Sequence, residues 1–388
     1  ELRRISHQQF SWQQGVGYSD FIRYYKIFNN PRISSICEEK LWIPIQTFMT
    51  IWILFFWGLI SHPKVKYEED IVAWEIELKH LNIFTNLIST NLDNLTDKAN
   101  EISDINENYI YAFNPLIFYP LVKIGAYYHC PIITYLVWRI TSGLYFDLNK
   151  KDNKIDWTFW NGFWMAFQDY VEEVTQTILT TRDINIYTER SYWEWKMSAD
   201  LILEKDNELF FIDAKTKRLL NKSKIWLTDE AIEDDLNTIT TEIVELYLTI
   251  EDYRKNLYPD IRSSGNEKIF PMIITLEDWY LFGKPVFSRI NELIKLKLIK
   301  KWLPDNLTEI MPYLICSVRE YEQLLQTLNT LSIWNIVNGW LDPAIYWNLF
   351  QPYLNSLIDK YEPLEYFFPD DFNNIFSKAV QKWIENAR

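Results

Sequence analysis

Ser198-Ala199-Asp200-Leu201-Ile202-Leu203-Glu204-Lys205-Asp206-Asn207-Glu208-Leu209-Phe210-Phe211-Ile212-Asp213-Ala214-Lys215 reads as two apolar strands around a tight polar turn. Asp206-Asn207 suits a two-residue hairpin loop, because both residues tolerate the positive φ such turns need. With those two as the loop, Lys205 pairs with Glu208, Leu203 with Phe210, Leu201 with Ile212 and Asp200 with Asp213. Directly opposed side chains on such a ladder have Cβ atoms about 4.5–5.5 Å apart. Two carboxylates so placed repel each other, which is costly between strands that are otherwise apolar on both faces. A divalent cation removes the repulsion, and hard oxygen ligands suit Mg2+ or Mn2+. Lys215 shares the face of Asp213, since side chains repeat every second residue. An ammonium there could orient an attacking water or stabilise charge that builds on a phosphate. Acid-x-Lys triplets also occur at Glu38-Glu39-Lys40, Glu77-Leu78-Lys79 and Asp152-Asn153-Lys154. The triplet alone therefore says little, and a structural Asp–Lys pair stays open. The apolar strand, the turn and the opposing Asp200 single this copy out.

Outward from the hairpin, residues 158–180 read as a helix, with Phe163, Phe167, Tyr170, Val171, Val174 and Ile178 at helical spacing. Residues 184–188 form a short strand, 230–253 a long helix, 269–276 a buried strand with Pro271 near its start, 286–299 a helix and 313–318 a strand. From Arg319 onward only helices are expected, with Pro343, Pro352 and Pro363 as breakers. The middle of the chain thus reads α-β-β-β-α-β-α-β, a mixed α/β (α+β) sheet covered on both faces. Upstream, residues 1–150 read as a helical, aromatic-rich region, and the polar run at 150–154 marks a boundary. Three regions are expected: 1–150, 155–320 and a helical tail, 321–388.

The bulk numbers agree with a folded chain. Of 388 residues, 48% are hydrophobic, enough for a sizeable core. The 18 tryptophans read first as core packing, with base stacking as the alternative. Cys37, Cys130 and Cys316 are odd in number and far apart, which argues against a disulfide framework and for a reducing, cytoplasmic setting. No Cys/His spacing suggests zinc. The start, Glu1-Leu2-Arg3-Arg4, shows no signal-peptide pattern. Residues 41–63 carry no formal charge over 23 positions. That length could span a bilayer, but Pro44, Gln46, Thr47 and Thr50 favour a buried core helix, so a membrane partner is not expected.

Asp200 followed by Asp213-Ala214-Lys215, within that order of elements, resembles the PD-(D/E)XK nuclease superfamily, the restriction-endonuclease-like fold. The resemblance covers roughly residues 158–318. It implies a metal-dependent phosphodiesterase in which Asp200 and Asp213 bind Mg2+ or Mn2+ and Lys215 assists catalysis. Two departures stand out. The usual Pro before the first Asp is Ala199. Where many members carry a Glu on the leading helix, the stretch Phe167-Gln168-Asp169-Tyr170-Val171-Glu172-Glu173 places Gln168. Gln168 can offer a carbonyl oxygen, and Glu172, one turn later on the same face, could act as ligand or be a solvated surface residue. Free-standing nucleases of this kind suggest, by analogy, a prokaryotic anti-phage defence effector.

The net charge of −14 requires any grip on nucleic acid to be local or shared with a partner. Lys217, Arg218, Lys222 and Lys224 form a basic run that could bind phosphates or be solvated surface. Arg289, Lys295, Lys297, Lys300 and Lys301 form a second run that reads first as solvated surface. Tyr192-Trp193-Glu194-Trp195-Lys196 leads into the hairpin; packing is the first reading and base stacking the second. Nucleic acid is the expected partner, DNA ahead of RNA, with a homo-oligomer or protein partner open. Two alternatives remain: a catalytically inactive interaction protein on the same fold, and a membrane-anchored effector.

Overall fold

The computed structural model describes residues 18–66, 76–101, 114–151, 154–179, 183–216, 229–346, 348–361, 368–371, 373 and 375. They fall into two compact units, one within Phe167–Phe367 and the other within Gln8–Ala166 and Phe368–Arg388. The unit that carries the hairpin begins inside helix α1, Trp157–Ile178. Strands β1, Asn185–Thr188, β2, Leu201–Lys205, and β3, Glu208–Lys215, follow. Then come α2, Asp229–Arg254; β4, Lys268–Thr275; α3, Lys284–Lys300; and β5, Leu314–Ser317. Helices α4, Val318–Leu328, α5, Ile333–Trp340, and α6, Phe350–Tyr361, complete it. The chain is a mixed α/β protein, as its pattern of apolar segments indicates.

The five strands line up as β5-β4-β3-β2-β1. β1, β2 and β3 form an antiparallel meander, and β4 and β5 add in parallel to β3. The turn sets the register. Asp206 and Asn207 take φ of 50° and 65°, the left-handed pair that joins strands without splaying them. Lys205 then lies opposite Glu208, Leu203 opposite Phe210 and Leu201 opposite Ile212. Pro271 lies inside β4, where a missing N–H should break a ladder. The N–H groups of Lys268 and Leu276 point to β3. By alternation, residue 271 faces the β5 side, and β5 begins only opposite Met272. The proline thus sits one residue short of needing a donor.

Both faces are buried, so the strands read as continuous apolar runs. On one face Ile202, Leu209, Phe211, Ile269 and Ile273 pack with α2 (Ile239, Ile243, Tyr247, Ile250) and α3 (Ile290, Ile294, Leu298). α4 and α5 contact the strands as well, and Trp334 of α5 meets Phe270 of β4. Buried hydrogen bonds join α1 to α4: the Tyr170 hydroxyl donates to Glu322 at 2.7 Å, and the Thr175 and Tyr321 hydroxyls meet at 2.7 Å. The helices beyond residue 320, expected as a separate tail, thus belong to the same compact unit as the sheet. Their apolar residues (Tyr321, Leu324, Leu325, Leu328) find their burial there.

The other unit is not purely helical, as its composition suggested. Ser89–Asn91, Leu121–Ile124 and Tyr127–His129 form a three-stranded sheet. Helix Ile45–Ser61 accounts for the uncharged segment, and Ile45, Phe48, Met49, Ile51, Trp52, Ile53, Leu54 and Phe55 are buried along it. Aromatic pairs such as Phe21–Trp52 and Phe48–Phe84, both with centroids 5.0 Å apart, fill this core. Among the described residues no single helix is long and apolar enough to cross a membrane. The pair Ser34–Leu41 and Ile45–Ser61 meets the length only together, and it bends by 61°. Lys150–Lys151, in the polar run, pairs antiparallel with Lys154–Ile155.

The turn yields a direct test. Asn207→Val places a β-branched residue at positive φ and is expected to cost roughly 1–2 kcal/mol, whereas Asn207→Gly keeps the conformation at little cost. Urea denaturation measures both; equal stability of the two variants would show that the turn does not set the register.

Candidate active site

The ladder of β2 and β3 ends at Leu201–Ile212. One step beyond, Asp200 and Asp213 replace main-chain pairing with side-chain pairing. The Ala214 N–H donates to Asp200 Oδ2 at 2.7 Å, and the Asp200 N–H donates to Asp213 Oδ1 at 3.3 Å. Each carboxylate thus caps the other strand's free N–H. Gln168 of α1 donates its amide to Asp200 Oδ1 at 2.6 Å. Lys215 Nζ lies 3.3 Å from Asp213 Oδ2 and 3.1 Å from Glu242 Oε2 of α2. The site lies where the C-terminal ends of the parallel strands β3, β4 and β5 meet, since Lys215 aligns with Thr275 and Thr275 with Ser317. Open α/β sheets bind ligands at that end.

The electrostatics are those of a crowded acidic site. Burial pushes the Asp200 carboxyl above the ordinary carboxylate range, and the Asp213 charge pushes it further. Lys215, the Ala214 N–H and Gln168 offset this only in part. For Lys215, burial alone would favour the neutral amine. The carboxylates of Asp213, Glu242 and Asp200 outweigh it and hold the ammonium charged. Glu189, exposed just after β1, is raised by partial desolvation and then by the Asp213 charge, with Lys215 offsetting. Among the described residues, the Lys215 ammonium pairs with Asp213 and Glu242, and the charges of Asp200 and Glu189 act on the same cluster.

The structure thus brings together Asp200, Asp213, Lys215 and Gln168. Glu172 is not part of the group; its Oε1 accepts from Gln176 of the same helix at 3.0 Å. It lies one helical turn, about 6 Å along the axis, from Gln168. Lys217, Arg218, Lys222 and Lys224 lie outside the described residues. The second basic run is largely neutralised. Arg289 pairs with Glu233 and Glu292, Lys295 with Asp305 and Lys301 with Glu245, while Lys297 bonds the Asn237 carbonyl and Thr241. These pairs accord with the solvated-surface reading of the run. Glu242 and Glu189 are additional to the sequence reading. Glu242 shares a stripe with Ile239 and Leu246 on α2, but only the packing of α2 on β3 sets it beside Lys215.

Does this donor set suit a divalent cation? Among the described residues no group of three or more His, Cys, Asp or Glu stands ready to hold a metal. Mg2+ does not require one: it is commonly held by one or two carboxylates, with water filling the remaining positions. Asp200 and Asp213, two carboxylates side by side on adjacent strands, fit that pattern. Compared with protein-family models, with curated proteins and with solved structures, the chain matches none.

A carboxyl raised on folding contributes stability at acid pH that is lost as pH rises through its folded value. Asp200→Asn removes the repulsion, while its amide oxygen still accepts from Ala214 and its NH2 can meet a flipped Gln168. In chelator at mildly alkaline pH this variant is expected to gain on the order of 1 kcal/mol, as relieved active sites do. Thermal unfolding checks it, and a loss of stability would mark Asp200 as a purely structural residue.

Proposed function

We propose that this chain is a metal-dependent nuclease of the PD-(D/E)XK type. What supports the reading is one juxtaposition: Asp200 and Asp213 clamped face to face at the end of a sheet, with Lys215 held charged beside them. A purely structural ion pair needs one acid for one base. Here carboxylates outnumber the ammonium, and a buried like-charge pair needs a reason.

Asp200 and Asp213 would hold Mg2+ or Mn2+. Such an ion, when bound, supplies Lewis acidity toward the scissile phosphate and the attacking water. The protein's own groups supply position and charge. The reciprocal N–H caps fix both carboxylates, so neither swings away when the other is engaged. Gln168 holds the outer oxygen of Asp200 and thereby fixes its rotamer. Glu242 draws Lys215 toward the site from the α2 side, while Asp213 draws it from the strand. The ammonium so placed stabilises negative charge that grows on a phosphoryl oxygen as water adds and the P–O bond to the leaving nucleotide breaks. The substrate class is DNA ahead of RNA.

A second reading has its own observation. Both oxygens of Asp200 already accept hydrogen bonds, and Gln168 occupies the side from which a further acid would bind. That arrangement also suits a non-catalytic interaction protein on the same scaffold. Magnesium separates the two readings, because an ion that binds only the folded state stabilises it by about 2.7 kcal/mol at a hundredfold excess over Kd. The nuclease reading expects this gain in the wild type and its loss in Asp213→Ala.

Plasmid, single-stranded DNA and tRNA incubated with Mg2+ test the activity itself. The wild type is expected to cut at least one of them. Asp213→Ala is expected to leave no measurable cleavage, and Lys215→Ala to lose about 10²–10³-fold in rate. Glu242→Gln is expected to weaken cleavage less than Lys215→Ala, since it loosens the ammonium without removing it. Cleavage by Asp213→Ala at the wild-type rate would end the proposal.

A further inference from the structure

The connection between β1 and β2 is closed at its neck. Arg190 and Ser198 exchange hydrogen bonds: the Arg190 N–H donates to Ser198 Oγ and the Ser198 N–H to the Arg190 carbonyl, each at 2.9 Å. Glu189 lies one residue before this neck, and Asp200 two residues after it. The loop is braced on one flank. The Tyr192 ring stacks on buried Tyr258 with centroids 4.6 Å apart. The Tyr192 hydroxyl and Lys196 Nζ both bond Asp252 Oδ2, at 3.0 and 2.7 Å, and Arg190 pairs with Asp260 at 2.8 Å. Tyr192 therefore packs, as the sequence reading favoured.

Its neighbours do not. Trp193 is 54% exposed and Trp195 90%. Trp195 also takes φ of 65°, which is unusual for a bulky residue. Trp42 and Trp302 share this φ, but each follows an α-helix, where a left-handed residue satisfies the last carbonyls. Behind Trp195 lies a single 3-10 turn, Trp193–Trp195. Local strain of this sort is retained where the surroundings fix it, often at functional sites. The fold thus holds two large rings in water on a braced loop, beside the acidic cluster.

The surroundings of the rings indicate what would cover them. Trp193, Trp195 and Met197 are exposed, and Lys196 stands among them in the chain. Lys196 Nζ stands 5.8 Å from the centre of the Trp193 ring. Flat rings interleaved with charge suit nucleobases, whose faces stack on tryptophan while their phosphates stay in water. Stacked bases of a duplex are not available for this; unpaired ones are.

We infer that the β1–β2 loop is a stacking platform for unpaired nucleobases. Trp193 and Trp195 take successive bases of a single strand whose backbone passes the Asp200–Asp213 pair. This rests on the nuclease reading for its substrate, and it names the class: single-stranded DNA or RNA, or single-stranded ends and loops.

The test uses the full chain carrying Asp213→Asn, so that binding is read without cleavage. Probes are a labelled oligothymidylate, an oligouridylate and a duplex of the same length, followed by fluorescence anisotropy. Trp195→Ala and Trp193→Ala are each expected to weaken single-strand binding about tenfold, the order of one lost stacked base. Trp195→Phe should retain most of the affinity, and duplex binding should barely change. The two single-strand probes distinguish DNA from RNA. Unchanged oligonucleotide affinity in Trp193→Ala/Trp195→Ala, with its melting temperature preserved, overturns the platform. So does a parallel fall in duplex binding, or no oligonucleotide binding before substitution. Tryptophan-dependent binding by a wild type that cuts nothing would keep the platform and sink the nuclease. Cleavage with tryptophan-independent binding would do the reverse.

Discussion

Two carboxylates facing each other at the end of a hairpin are the constraint around which this unit is arranged. Alone, the Asp200 carboxylate is unfavourable there, because burial and the Asp213 charge both act against its ionisation. The fold offsets this with the weakest of means: two main-chain N–H groups, one amide and one ammonium. They come from three parts of the chain: α1, the start of β2 and the end of β3. The N–H groups become free only because the β2–β3 ladder stops at Leu201–Ile212. The amide needs the middle of α1 to lie beside Asp200. The ammonium needs Glu242, hence α2 laid across β3. The order of elements follows from the need to converge these groups on one edge.

The same convergence explains the contrast between an acidic chain and a proposed nucleic-acid substrate. A phosphodiester approaching Asp200, Asp213, Glu242 and Glu189 meets more negative than positive charge, and the distal basic run on α3 is consumed by Glu233, Glu292, Asp305 and Glu245. Affinity from phosphate contacts is therefore modest at this end among the described residues. Stacking on Trp193 and Trp195 does not depend on charge. It gives a strand a foothold that the electrostatics do not, and a divalent cation would supply the remaining compensation at the reacting phosphate.

Much of the sheet was legible because it is fixed by local chemistry. Asp206-Asn207 permits only a two-residue turn of this hand, and from it every pair in the hairpin follows by counting. The long apolar runs gave the strands and helices around it. Even Pro271 is consistent with a buried strand once alternation shows which way its missing donor points. Glu242 and Glu189 were not legible, because their roles depend on how α2 and the β1 end pack, and no local pattern encodes that. The small sheet of the other unit, built on strands of three and four residues, leaves too short a period-two signal to separate from helix. Exposure of Trp193 and Trp195 was ambiguous because tryptophan is usually buried; only the neighbouring Tyr192 followed that rule.

The position of the acidic pair is itself dictated by the ladder. Within the hairpin, the N–H groups of paired residues are committed to a neighbouring strand, so a carboxylate there takes its donors from outside the ladder, as Glu204 does from Asn185 and Tyr187 and Glu208 from the Trp334 N–H. One residue inward, at Leu201 and Ile212, side chains point to the other face and away from α2, where Glu242 waits. Further out, the strands part, and the two carboxylates would no longer hold each other. A single rung meets all conditions: just past the last pair, on the α2 face, with free N–H groups on both strands. That rung is fixed by the turn, seven residues from Asp200 at Asn207. Inserting or deleting one residue between them would turn Asp200 to the other face and separate it from Asp213 and Lys215, which share β3. The register of a two-residue loop thus governs whether the site exists at all.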